Sequence, residues 1–181
     1  MRIQDGVNAR TDQDLVRASA AGSREAAAEL FERHWDVAWR VGYAVTGDRA
    51  LAEDVAQDAF QRAFRALADF DLSRPFRPWL HRIVVNRALD LVRRNRRLVD
   101  HADADEPAAD WVEERLRDAD LFAALGRLSP ERRAVVVLRY WLDYTQEEIA
   151  RMLELPIGTV SSRLTRALSA LRSEMEKTNV G

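Results

Sequence analysis

The stretch YTQEEIARMLELPIGTVSSRLTRALSALR, residues 144–172, decides the fold, because it predicts two helices joined by a tight turn. Thr145 can cap the first helix through its hydroxyl, and Glu148, three residues on, completes a capping box. Ile149, Met152 and Leu153 then share one face, and Ala150 is small enough for another helix to approach. Pro156 stops this helix, since it has no N–H and restricts the residue before it. A second helix starts near Gly158. It exposes Thr159, Ser161, Ser162, Arg163 and Arg166 and turns Val160, Leu164, Ala167, Leu168 and Leu171 inward. Residues 157–172 hold three arginines and no carboxylate, a local charge of +3. A helix that is polar and basic at its N-terminal end suits a DNA major groove. An ordinary helical hairpin with a solvated basic face is the other reading of this segment alone.

Working outward, the periodicity is helical nearly throughout and no convincing strand is visible. Thr11 begins a helix as N-cap, with Asp14 three residues on. A longer helix runs from Ser23 to about Val45, with Phe31, Trp35, Trp39 and Tyr43 spaced by four as a core stripe. Gly47–Asp48 marks a turn before an amphipathic helix over 49–68, which turns Leu51, Val55, Ala59 and Phe60 or Phe64 inward. Residues 69–78, with two prolines, are irregular, and Trp79 to about Arg94 is helical again. Ser129–Pro130 is a strong helix start. The predicted fold is therefore all-α: one small helical domain over 11–97, a flexible acidic linker over 98–117, and a second helical domain over 118–173.

A chain of 181 residues with 47% hydrophobic and 32% charged residues is a globular protein. No apolar run approaches the roughly 18 residues of a membrane span. The N-terminal stretch lacks a signal-peptide layout. The chain contains no cysteine, which excludes disulfides and thiolate metal sites and fits a cytoplasmic location. His34, His81 and His101 have no metal-ligand spacing, and no phosphate loop, nucleophile elbow or cluster of histidines and carboxylates is present. No cofactor, metal or catalytic turnover is expected. The net charge of −2 hides a segregated pattern. Residues 81–97 carry six arginines and Asp90, a sum of +5, whereas 100–120 carry nine acids and two arginines, a sum of −7.

Residues 69–97 interleave aromatics with arginines: Phe76, Trp79 and His81 among Arg74, Arg77, Arg82 and Arg87. Bases of single-stranded DNA stack on rings while guanidinium groups neutralise phosphates. A proline-bearing loop beside a basic helix could also receive an extruded base. Equally, Trp79 can be a core anchor and the arginines a solvated helix end, and Trp79 itself is assigned mainly to structure.

The order of these elements resembles the extracytoplasmic-function (ECF) group of the sigma-70 family of bacterial RNA polymerase sigma factors. GDRALAEDVAQDAFQRAFRAL (47–67) resembles the segment that docks on the β′ clamp helices, and FRPWLHRIVVNRALDLVRR (76–94) the segment that reads the −10 promoter element. LSPERRAVVVLRYWLDYTQEEIARMLELPIGTVSSRLTRAL (128–168) resembles the −35-binding domain. The resemblance implies a stress-response transcription factor that directs core polymerase to promoters and aids melting, under control of an anti-sigma factor. It places polymerase contacts on Glu53, Asp54, Gln57, Asp58 and Phe60. It places −10 contacts on Arg74, Phe76, Arg77, His81, Arg82, Asn86, Arg87, Arg93, Arg94 and Arg97, with Arg96 also near phosphates. The −35 contacts fall on Thr145, Gln146, Thr159, Ser161, Ser162, Arg163 and Arg166. The acidic linker would thread toward the active-site and RNA-exit channel. Two positions depart from the family pattern: Ser161, where Lys or Arg is frequent, and Glu154, where glycine is common in the turn. The competing assignment is a stand-alone regulator that binds duplex operators without polymerase.

Overall fold

The computed structural model describes residues 10–99 and 124–178, with the side chains of 96–99 and 174–178 outside that description. All regular structure among the described residues is helical. The first unit comprises α1 (Asp12–Ala20), α2 (Arg24–Thr46), α3 (Arg49–Ala66), a 3-10 turn at Leu67–Asp69, and α4 (Phe76–Val99). The second comprises α5 (Pro130–Val136), a π turn (Val137–Trp141), α6 (Gln146–Leu153) and α7 (Ile157–Thr178).

The helix boundaries follow local chemistry. The Thr11 hydroxyl accepts from the Asp14 N–H at 3.2 Å, and the Asp14 carboxylate accepts from the Thr11 N–H at 3.2 Å. Ser23 caps α2, and α2 ends on Gly47, whose φ of 74° is the left-handed conformation that glycine adopts without penalty. Asp48 then caps α3 through the Leu51 N–H at 2.9 Å. Helix α4 begins at Phe76, earlier than the expected start at Trp79. Pro78 lies in its first turn, where no intrahelical N–H is required, so the proline is accommodated inside the helix. Residues 98–99, expected to open the linker, complete α4, and the rest of the linker lies outside the described residues.

Close helix approach builds the first unit. Ala52, Ala56, Ala59 and Ala63 form a fully buried stripe on α3, and Gly42 of α2 faces it. A Cβ on Gly42 would stand 3.2 Å from Val55 Cγ1 and 3.3 Å from the Ala52 carbonyl oxygen, so any larger residue would push the two helices apart by a few tenths of an ångström. Leu15, Leu30, Val41, Phe60, Leu80 and Val84 fill the remaining core. Each large apolar side chain contributes roughly 1.5–3 kcal/mol by burial. The second unit is smaller, with Ala134, Val135, Leu138, Ile149, Val160, Leu164 and Ala167 inside. After the π turn, Asp143 adopts a positive φ of 58°, and the Tyr144 N–H donates to the Leu138 carbonyl at 3.0 Å. That kink delivers the Tyr144 side chain onto α4.

Candidate nucleic-acid interface

The outer face of α3 presents Glu53, Asp54 and Gln57 to solvent, with the Gln57 amide donating to Glu53 at 3.4 Å. Asp58 is drawn inward instead. It pairs with Arg62 at 3.1 Å and with Arg87 of α4 at 2.5 Å. Phe60, expected on the polymerase-facing surface, is only 2% exposed. Its ring lies 4.9 Å from Phe31 and 5.7 Å from Phe64, so its apolar surface is spent on the core and offers no outward contact.

Before α4, the Asp71 carboxylate accepts from the Ser73 hydroxyl at 2.7 Å and the Ser73 N–H at 2.9 Å, which holds its pKa below the usual carboxylate value. This turn displays Arg74 and Arg77. Phe76, expected to meet bases, is 1% exposed and sits against His34, Phe70 and Trp79 at 5.4, 6.2 and 5.7 Å. Trp79 joins the same cluster, in keeping with its structural assignment. The rings that could stack on bases instead pack against one another at tilted and edge-on angles. His81, expected to line the DNA-facing side, is also 1% exposed; burial, reinforced by the Arg77 charge, lowers its pKa to about 3. Arg93 and Arg94 are exposed on α4, Arg82 and Asn86 are half-buried, and Arg87 is largely covered by its pair with Asp58. The Arg97 and Arg96 side chains lie outside the described residues.

In the second unit the expected helix-turn-helix is present. The Thr145 hydroxyl accepts from the Glu148 N–H at 3.2 Å while Glu148 accepts from the Thr145 N–H at 2.8 Å. Gln146 is half-buried beside it. Helix α6 ends on Glu154, with φ 55° and ψ 44°. Along the first turns of α7, Ser161 and Arg166 are exposed and Thr159, Ser162 and Arg163 half-buried. The Ser162 hydroxyl is occupied by the Thr159 carbonyl at 3.0 Å. Neither Arg163 nor Arg166 has a carboxylate partner among the described residues, so both guanidinium groups are available to an anionic surface.

Residues 30–98 match the Sigma-70 region 2 family and residues 119–171 the Sigma-70, region 4 family. The chain is 35% identical over 175 residues to the ECF RNA polymerase sigma factor SigL of Mycobacterium tuberculosis, covering 92% of this chain and 99% of SigL. The chain belongs to the ECF group of RNA polymerase sigma factors. It is also 37% identical over 158 residues to the ECF sigma factor SigE of Mycolicibacterium smegmatis, covering 82% of this chain and spanning 61% of SigE. In three dimensions it resembles CnrH, solved in complex with the cytosolic domain of CnrY: TM-score 0.67, 31% identity, 92% of this chain and 97% of that one.

In this ECF sigma factor the two units are packed together, with α2 and α4 of the first against the second. His81 Nδ1 and the Tyr144 hydroxyl are 2.8 Å apart in a buried hydrogen bond. Burial also raises the Tyr144 pKa to about 12, so the phenol stays protonated at neutral pH. The Asn86 amide donates to the Met152 carbonyl at 3.4 Å. Arg82 pairs with Glu154, and Arg93 with Glu131 at 3.6 Å. Beside them the Arg40 guanidinium of α2 lies 5.2 Å from the Trp141 ring centroid. Sequence reasoning assigned no role to Tyr144 or Glu131. Partners separated by 63 residues leave no periodic signal in the chain. Glu154, a glutamate where the turn favours glycine, was the one visible sign.

Proposed function

We propose that this sigma factor directs core RNA polymerase to specific promoters through two separate surfaces. The observation that carries this reading is that region 2 and region 4 occur in that order on one chain. Residues 11–97 act as the polymerase- and −10-binding domain, 98–117 as the linker, and 118–173 as the −35-binding domain. The exposed acids of α3, Glu53 and Asp54 with Gln57, meet basic groups of the polymerase clamp. Arg74, Arg77, Arg82, Arg93 and Arg94 follow the phosphates of the melted −10 strand. Arg163 and Arg166, with Ser161 and Thr159, face the −35 duplex.

Extruding a base costs a few kcal/mol. Stacking of about 1–3 kcal/mol per base and polymerase contacts offset that cost, so melting requires no nucleotide hydrolysis and the chain is not an enzyme. No helix among the described residues is long and apolar enough to cross a membrane. We place the protein in the cytoplasm, where its template and polymerase are. Because CnrH was solved with a protein bound to it, an anti-sigma factor is the regulator we assign.

The test is transcription in vitro with core polymerase and a pool of genomic promoter fragments. Discrete start sites that appear only with the protein support the reading and reveal both promoter elements. A duplex operator bound tightly and specifically by the chain alone, with no polymerase-dependent transcripts, would replace it with an operator-binding regulator.

A further inference from the structure

We propose that α1 positions the loop that meets the −10 strand: Asp12 acts through His34 on Phe76, and so sets where Arg74 and Arg77 stand. The inference rests on the reading that residues 70–77 and α4 meet the melted strand, and it names residues that act there without touching DNA. Helix α1 lies before residue 30, where the region 2 match begins. It packs on α2 and also touches the 3-10 turn and α4, the elements at either end of that loop.

The Asp12 carboxylate is held from two sides. One oxygen accepts from Arg33 at 2.7 Å and the other from the His34 Nε2–H at 2.8 Å. Arg33 also donates to the Arg10 carbonyl at 3.0 Å and to Glu29 at 2.8 Å, so the start of α1 is tied to α2 at several points. His34 is only 7% exposed, and its ring centroid lies 5.4 Å from that of Phe76. Phe76 in turn packs on Phe70 and Trp79, so both ends of the loop meet in one ring cluster. Burial lowers the His34 pKa against the pull of Asp12, and the charges of Arg33 and Arg77 lower it further, which puts the Arg77 guanidinium near the same ring. Without Asp12 a buried N–H is left unpaired, which favours other placements of the imidazole and of Phe76 against it. Affinity for the strand then falls with the fraction of molecules whose loop is correctly placed.

The test uses holoenzyme assembled from core polymerase and the full chain, on a promoter to which the chain directs polymerase, with 2-aminopurine in the −10 non-template strand. Capture of the strand is read by its fluorescence, beside core affinity and binding of an upstream fragment that carries the −35 element alone. Asp12→Ala should weaken capture about tenfold, the effect of lowering the competent fraction to about one-tenth, with core and −35 affinity unchanged. Asp12→Asn, whose carbonyl can still accept from His34, should restore it. Arg33→Gln, a milder change at an exposed residue, should give a smaller loss in the same readout and carries the test if Asp12→Ala does not fold. Val41→Ala, a core truncation in α2, should lower the melting temperature without this selective loss. Parent-like capture in Asp12→Ala and Arg33→Gln, an equal loss in Val41→Ala, or loss of core affinity in step with capture would overturn the proposal. No capture by the parent holoenzyme, or parent-like capture by Arg74→Ala/Arg77→Ala, would instead remove the −10 reading, and this proposal with it.

Discussion

Protonation of His81 should loosen this protein between pH 7 and pH 5. The ring is buried at the seam between the units, and its pKa falls to about 3 from an ordinary 6.5, chiefly through burial and then through the charges of Arg77 and His34. The value is depressed in the packed state, so the neutral ring's contribution is complete above pH 6.5 and is lost as the pH falls toward 3. With 6.5 for the state in which the ring meets water, the packed state loses about 2 kcal/mol relative to it between pH 7 and pH 5. The same cost applies whether the exposing step is separation of the units or global unfolding. The assay is urea unfolding at both pH values, followed by tryptophan fluorescence, for the parent and for His81→Gln. Glutamine can still hydrogen-bond to Tyr144 but cannot gain a proton. His34, also lowered mainly by burial, is present in both chains and cancels. The parent should lose about 2 kcal/mol more than the variant on acidification. Identical pH dependence would refute the reasoning and mean that His81 is solvated or partnered in solution.

Gly42→Ala should destabilise the first unit by roughly 1–3 kcal/mol, because the new methyl meets the Ala52 carbonyl and Val55; a thermal melt within error of the parent would show that α2 and α3 can move apart freely. Glu154→Gly should leave the melting temperature unchanged or raise it. Relief of the positive φ, worth about 1–2 kcal/mol, exceeds the loss of a solvated ion pair; clear destabilisation in calorimetry would contradict that balance. Arg163→Ala should weaken −35 duplex binding by about 1–3 kcal/mol if it reads a base through two hydrogen bonds. A promoter scan with unchanged −35 selectivity would remove Arg163 from the reading set.

Much of the fold was legible because helix chemistry is local. The Thr11 and Thr145 capping boxes, the Gly47 stop, the Ser129–Pro130 start and the inward face of α7 each depend on residues within a few positions of one another. The start of α4 was misjudged because Pro78 reads as a breaker, although the first helical turn has no use for its missing N–H. At the candidate site, exposure divides the expected contact residues into those that can meet a partner and those that the fold covers. Phe60, Phe76 and His81 lie on the segments that the resemblance marked, but all three are buried. Residue type and spacing identify a ring or an imidazole; they do not say which neighbour from another helix covers it.

By itself the sequence determined an all-helical chain, the order of its two family regions and a free basic face on α7, since periodicity, caps and local charge are encoded within single helices. The tertiary structure alone decided that Tyr144 closes on His81, and that Glu154 and Glu131 meet Arg82 and Arg93. Those pairs join residues 38 to 72 positions apart. Their proximity comes from how two amphipathic units bury surface against each other, and no short-range pattern encodes it.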